Sequence, residues 1–368
     1  MERKGTSQSD GGTMSVARNL CPPGRYIVEL APKGIPRWFV RDGFRWLIPM
    51  ENWRVRLAGS RIYPAVSVKA RAYRIALRTW ITAGGALFTH HSRLRSGHDW
   101  PLRDLLLSDI PTLSTAAVHI GGALPGGRKV TAQLMDAHGR VLGFAKYGDN
   151  AYTQASITNE ARMLSILPEN VGPKLISFTP FLEGTLLVQT PLPGRMRVRL
   201  RIDVAQRRFY ERLIQADKLY PASEHPLIVD LYRRTTVYRS TIERLVEEMG
   251  YGEWPVAWMH GDLAPYNMRW SRAGCLALDW EHGKEAGFPY LDAAAMLIQV
   301  AKIRRLDAKA AKRVISGELN ASLPAEYSKI APVLASLSAL NMLVSWYPPR
   351  KPDSYERWLR EFVGTAGA

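Results

Sequence analysis

From Ala116 onward the chain alternates apolar and polar positions in short runs bounded by glycine and proline, the period-two pattern of half-buried strands. Val118–Leu124 leads into Pro125-Gly126-Gly127, Val130–Met135 alternates around Thr131 and Gln133, and Val141–Lys146 follows the turn Asp136-Ala137-His138-Gly139. Strands in succession joined by glycine-rich turns predict an antiparallel meander. Helical spacing takes over at Ser156–Leu167, where Ile157, Ala161, Leu164 and Leu167 share a face with Glu160. Strand signals return at Leu175–Thr179 and Thr185–Gln189. Past Pro193 the pattern is mainly helical, broken by short strands at Pro255–Met259 and Cys275–Leu278. Five strands and one helix followed by a helical region describe an α+β chain in two lobes, with a hinge near Gln189–Pro193.

Three further stretches stand out. Val68–Trp80 has Ala70, Tyr73, Ile75, Ala76 and Trp80 amid Lys69, Arg71, Arg74 and Arg78, which predicts a basic amphipathic helix. Such a helix either lies on an anionic membrane surface or packs its stripe on a neighbouring domain. Arg195, Arg197, Arg199 and Arg201 alternate with Met196, Val198, Leu200 and Ile202, the period of a strand with one arginine-lined face. Ile330–Tyr347 is the most apolar run, but Ser336, Ser338, Asn341 and Ser345 interrupt it, so it reads as a buried helix rather than a membrane span.

Composition narrows the class. A chain of 368 residues has room for two domains, and 46% hydrophobic residues with 11 Trp and 15 Tyr support packed cores. Segment boundaries fall at a polar tail (1–24, expected to be disordered), a basic aromatic-rich segment (25–113), an N-lobe (114–190) and a helical C-lobe (191–368). Net charge is +17, and residues 1–120 alone hold 18 basic against 8 acidic residues. That bias suggests an acidic partner, an anionic membrane surface before nucleic acid. Two cysteines, Cys21 and Cys275, do not make a disulfide scaffold, and a cytoplasmic location is the simplest reading.

Candidate chemistry concentrates late in the chain. Trp258–Trp270 reads W-M-H-G-D-L-A-P-Y-N-M-R-W, and Asp279 follows in L-A-L-D-W-E-H-G. Phosphoryl transfer from a nucleotide needs one group to orient a hydroxyl and oxygen ligands for magnesium. Asp262 suits the first task, Asn267 and Asp279 the second. Upstream, Lys146 falls on the same strand face as Leu142 and Phe144, and Glu160 on an apolar helix face. Each buried charge is costly alone, so each is the other's natural partner, and the pair would aim Lys146 at phosphates. The turn containing Gly121, Gly122, Gly126 and Gly127 could bring backbone N–H groups near phosphates, a weak signal by itself.

This order of strand, glycine turn, strand with Lys146, helix with Glu160, hinge, H-G-D-L-A-P-Y-N and D-W-E resembles the aminoglycoside phosphotransferase and choline kinase superfamily. The family pattern H-G-D-x-x-x-x-N matches at His260, Gly261, Asp262 and Asn267, its metal-binding Asp at Asp279, and a further acidic position at Asp292. The resemblance spans roughly residues 114–368 and implies a protein-kinase-like fold. It further implies ATP and Mg2+ as cofactors and a small-molecule hydroxyl as acceptor. Asp262 is then the catalytic base, Asn267 and Asp279 the metal ligands, Lys146 the phosphate contact backed by Glu160, and His260 an organiser of the loop. Adenine would meet the hinge backbone at Gln189–Pro191. The alternatives are a nucleotide-binding pseudokinase acting as a scaffold and a membrane-associated protein of polysaccharide biosynthesis, at the inner face of the membrane.

Overall fold

The alternating runs are realised in one antiparallel sheet. Its strands are β1 (Gly24–Glu29), β2 (Arg45–Pro49), β3 (His90–Leu94), β4 (Thr115–Ile120), β5 (Val130–Met135), β6 (Val141–Gly148), β7 (Leu175–Phe181) and β8 (Gly184–Gln189). They lie in the order β3-β1-β2-β4-β5-β6-β8-β7. The computed structural model describes residues 19–29, 45–62, 68–83, 90–94, 100–120, 129–346 and 354–364. The chain divides into two units, residues 1–161 with 174–191, and residues 162–173 with 192–368.

Among the described residues, the sheet of the first unit has eight strands rather than five. β4 to β8 are the five read from the pattern. β1, β2 and β3 come from the basic segment, and β2 joins β4 through Leu47 opposite Val118. Without β2, β4 would be an edge with unpaired backbone groups.

Both faces of the sheet are covered, which is why the alternation in β5 is blurred. One face buries Val118, Ile120, Ala132, Leu134, Ala145 and Val188. On the other, Ala117 and Met135 pack with Val55 and Ala58 of α1 (Trp53–Gly59). Helix α1 starts at Asn52, whose side chain accepts from Val55 N–H at 3.0 Å and donates to the Ala137 carbonyl at 2.9 Å. Buried Gln133 donates to the Ala58 carbonyl at 2.9 Å, so its amide is satisfied inside the core.

The basic helix forms as α2 (Val68–Thr82), but its packed stripe differs from the expected one. Leu77 and Ile81 are buried with Ile27 and Ile48 of β1 and β2. Ile75, Ala76 and Trp80, expected on the apolar face, are exposed. After α3 (Pro101–Leu106), α4 spans Ala151–Ile166. It begins five residues before the predicted start, because the Asn150 side chain accepts from Thr153 N–H at 3.1 Å.

The second unit is mainly helical: α5 (Val204–Glu211), α6 (Pro226–Arg234), α7 (Arg239–Met249), α8 (Leu291–Ile303), α9 (Ala308–Ser322), α10 (Ala325–Ser328), α11 (Ala331–Trp346) and α12 (Ser354–Val363). Among its described residues it also holds five strands where three were expected, the arginine run included. β9 (Ile214–Pro221), β10 (Glu253–Met259) and β13 (Lys284–Gly287) form one sheet, and β11 (Met268–Ser271) with β12 (Gly274–Ala277) a hairpin.

The serines that interrupt the apolar run in α11 are satisfied internally: Ser336 donates to the Pro332 carbonyl at 2.9 Å and Ser338 to Leu291 at 3.1 Å. Among the described residues no helix is long and apolar enough to cross a membrane. The arginine run does not form a strand. Its arginines remain exposed, yet among the described residues its pairing is limited to an isolated bridge between Arg195 and Trp270.

Candidate active site

In the first unit, strand β6 lies between β5 and β8, with Lys146 opposite Thr131 on one side and Leu187 on the other. Its ammonium lies 2.6 Å from both carboxylate oxygens of Glu160 on α4. Glu160 is wholly buried and Lys146 nearly so. Two opposite charges out of water persist only as a close, hydrogen-bonded pair.

At the end of β8, Gln189 is buried and its side-chain Oε1 has no hydrogen-bond partner among the described residues. Thr190 N–H is spent on the Lys174 carbonyl at 2.9 Å, and Pro191 has no N–H at all. Carbonyl oxygens are therefore the main-chain groups that Thr190 and Pro191 can offer an adenine. Gly121, Gly122, Gly126 and Gly127 lie outside the described residues.

In the second unit, β10 delivers the chain to His260, and a frame of hydrogen bonds fixes the loop that follows. Asp292, near the start of α8, accepts from His260 N–H at 2.6 Å and from Gly261 N–H at 3.2 Å. Burial pushes the Asp292 carboxyl up to about 6, while these two bonds oppose the rise. Gly261 has φ +78°, and a Cβ there would collide with the His282 carbonyl, so only glycine fits.

The His260 ring links two loops. Nε2 donates to the Leu278 carbonyl at 2.9 Å, and Nδ1 accepts from Asp262 N–H at 3.3 Å, which assigns the neutral Nε2–H tautomer. The ring lies 4.7 Å from that of Trp280, whose indole N–H reaches the Ala277 carbonyl at 3.0 Å.

The same frame gathers the three predicted oxygen-bearing residues. Met268 faces Ala277 across the β11–β12 hairpin, so the residues flanking it converge. Leu278 N–H donates to the Asn267 carbonyl at 2.8 Å, and Asp279 is the next residue. Asn267 Nδ2 donates to the Asp262 carbonyl at 2.9 Å, which commits the amide nitrogen and orients the amide. Asp279 adopts the left-handed region, φ 71° and ψ 55°, a conformation uncommon outside glycine that concentrates at functional sites. Asn267 is buried, whereas Asp262 and Asp279 are half-buried.

Two carboxylates and an amide oxygen are hard donors suited to magnesium, which keeps waters and substrate phosphates in its remaining positions. Among the described residues no group of three or more His, Cys, Asp or Glu could hold a metal.

Tyr266 escaped the sequence reading. Its phenol is raised above the ordinary range by burial first, then by the negative charges of Asp262 and Asp279, so it shares their surroundings. The signal available was its place immediately before Asn267. Trp280 was likewise legible only as the residue after Asp279.

No protein-family model and no curated protein matches the chain. Among solved structures, the chain is similar to an aminoglycoside-3'-phosphotransferase of type VIII at 17% identity and TM-score 0.35, over 64% of this chain and 97% of that one. A protein assigned as a fructosamine-3-kinase from Haemophilus somnus 129PT is 12% identical at TM-score 0.42, over 72% and 96%. The bifunctional kinase-methyltransferase WbdD is 14% identical at TM-score 0.27, over 74% of this chain and 52% of that one.

Proposed function

We propose that the chain is an ATP- and Mg2+-dependent kinase that phosphorylates a hydroxyl group of a small molecule. The observation that carries this reading is the hydrogen-bonded frame through His260, Leu278 and Asn267, which gathers Asp262, Asn267 and Asp279 on adjoining loops. A bound magnesium ion would neutralise charge on the transferred phosphoryl group.

Asn267 and Asp279 hold the ion through their side-chain oxygens. Asp262 orients the acceptor hydroxyl and takes its proton. Lys146, fixed by Glu160, contacts nucleotide phosphates. The adenine amino group would donate to carbonyls of the Gln189–Pro191 stretch. Dependence on ATP suits a cytoplasmic protein.

The test is ATP consumption against a panel of hydroxylated metabolites. For the acceptor that responds, Asp262→Ala should lower the rate on the order of a hundredfold or more, with ATP binding retained. Full activity in that variant would refute the assignment.

A further inference from the structure

Helix α2 is apolar on two sides, and among the described residues one of them is packed. Leu77 and Ile81, one turn apart, fill the pocket over β1 and β2. Ala72, Ile75, Ala76, Thr79 and Trp80 follow the i, i+3, i+4, i+7, i+8 spacing of a second stripe, and all five are exposed. Ile75 is 65% and Trp80 43% exposed. A solvated helix face carries charge along its length, whereas this one carries none from Ala72 to Trp80, with Lys69 one turn before it.

Charge sits beside the stripe instead. Arg74 and Arg78 occupy the helix positions between its two apolar sides, and α2 contains no acidic residue. Helix α1, which packs against α2, adds Trp53, 56% exposed, with the Arg54 guanidinium 5.5 Å from its ring centre. Exposed Arg61 follows in the next turn. The first 120 residues carry ten more basic than acidic side chains.

We propose that the outward stripe of α2 docks on an anionic lipid bilayer, with Ile75 and Trp80 entering the interface and the neighbouring arginines meeting headgroup phosphates. Three features favour lipid over nucleic acid or a protein partner. From Ala72 to Trp80 the contact stripe is uncharged, whereas a nucleic-acid surface would put its cations along the contact face. Tryptophan with an aliphatic neighbour suits the boundary between headgroups and acyl chains. Cations beside an apolar stripe are the arrangement of helices that lie flat on anionic membranes. The inference stands apart from phosphoryl transfer, because nothing in it involves the nucleotide site.

The experiment is co-sedimentation of the full chain, without nucleotide, with vesicles of phosphatidylcholine alone and of equal parts phosphatidylcholine and phosphatidylglycerol. Wild type should pellet with the anionic vesicles, not with the neutral ones, and less as salt rises. The double variant Ile75→Asp, Trp80→Asp should bind about tenfold more weakly or worse. The milder pair Ile75→Ser, Trp80→Ser should follow the same direction, so the result does not hang on one variant's folding. Wild type left in the supernatant, or both double variants pelleting like wild type, overturns the proposal. So does a variant that loses self-association or duplex DNA binding while vesicle binding is unchanged.

Discussion

Asp292 holds the loop of His260 and Gly261 from 32 residues downstream, accepting both backbone N–H groups while wholly buried. Its folded carboxyl, at about 6, lies above the ordinary 3.8, so the folded state holds its proton to higher pH than the unfolded state does. Stability contributed by this group is therefore present below the unfolded value and lost as pH rises through about 6, by about 3 kcal/mol in all. Urea unfolding of wild type and Asp292→Asn at pH 4 and pH 7 should show it. Wild type should lose stability relative to the variant on going to pH 7, and an unchanged difference would refute the sign. Asp262, Asn267 and Asp279 were legible because the residue types and their spacing lie within one short stretch. Asp292 was recognisable as an acidic position, but its contact could not be read, since nothing local says which backbone groups a distant carboxylate meets.

At the level of elements, β6 and α4 are locked by one buried ion pair. Removing a single partner leaves an uncompensated charge, so Glu160→Ala should cost about 3–5 kcal/mol in urea unfolding. Adding Lys146→Met should recover part of that loss, because no lone charge then remains inside. A cost for Glu160→Ala within error of zero would mean the pair contributes nothing. This pairing was readable from two sequence faces, each apolar and each carrying one charge. The helix start was not, because the cap that Asn150 supplies lies in a polar turn rather than in the periodic run. The arginine alternation shows the opposite failure. Exposure alternates as a strand requires, but among the described residues the backbone meets β11 through a single isolated bridge, Arg195 to Trp270, and no ladder follows.

Across the first unit as a whole, β1 to β3 extend the sheet and α1 covers the face formed by Ala117 and Met135. Deleting residues 1–113 should therefore uncover apolar surface and expose β4 as an edge, giving aggregation detectable by light scattering. A soluble, folded fragment would show the segment to be dispensable. The α+β class, the strands β4 to β8, the Lys146–Glu160 pairing and the spacing of the candidate site are determined by the sequence itself. Each is written in period, residue type or short separation along the chain. Which side of α2 is buried, where β2 pairs and how Asp292 steadies the His260–Gly261 loop were decided only by the tertiary structure. Burial and pairing are properties of two surfaces at once, and here the second surface lies tens of residues away.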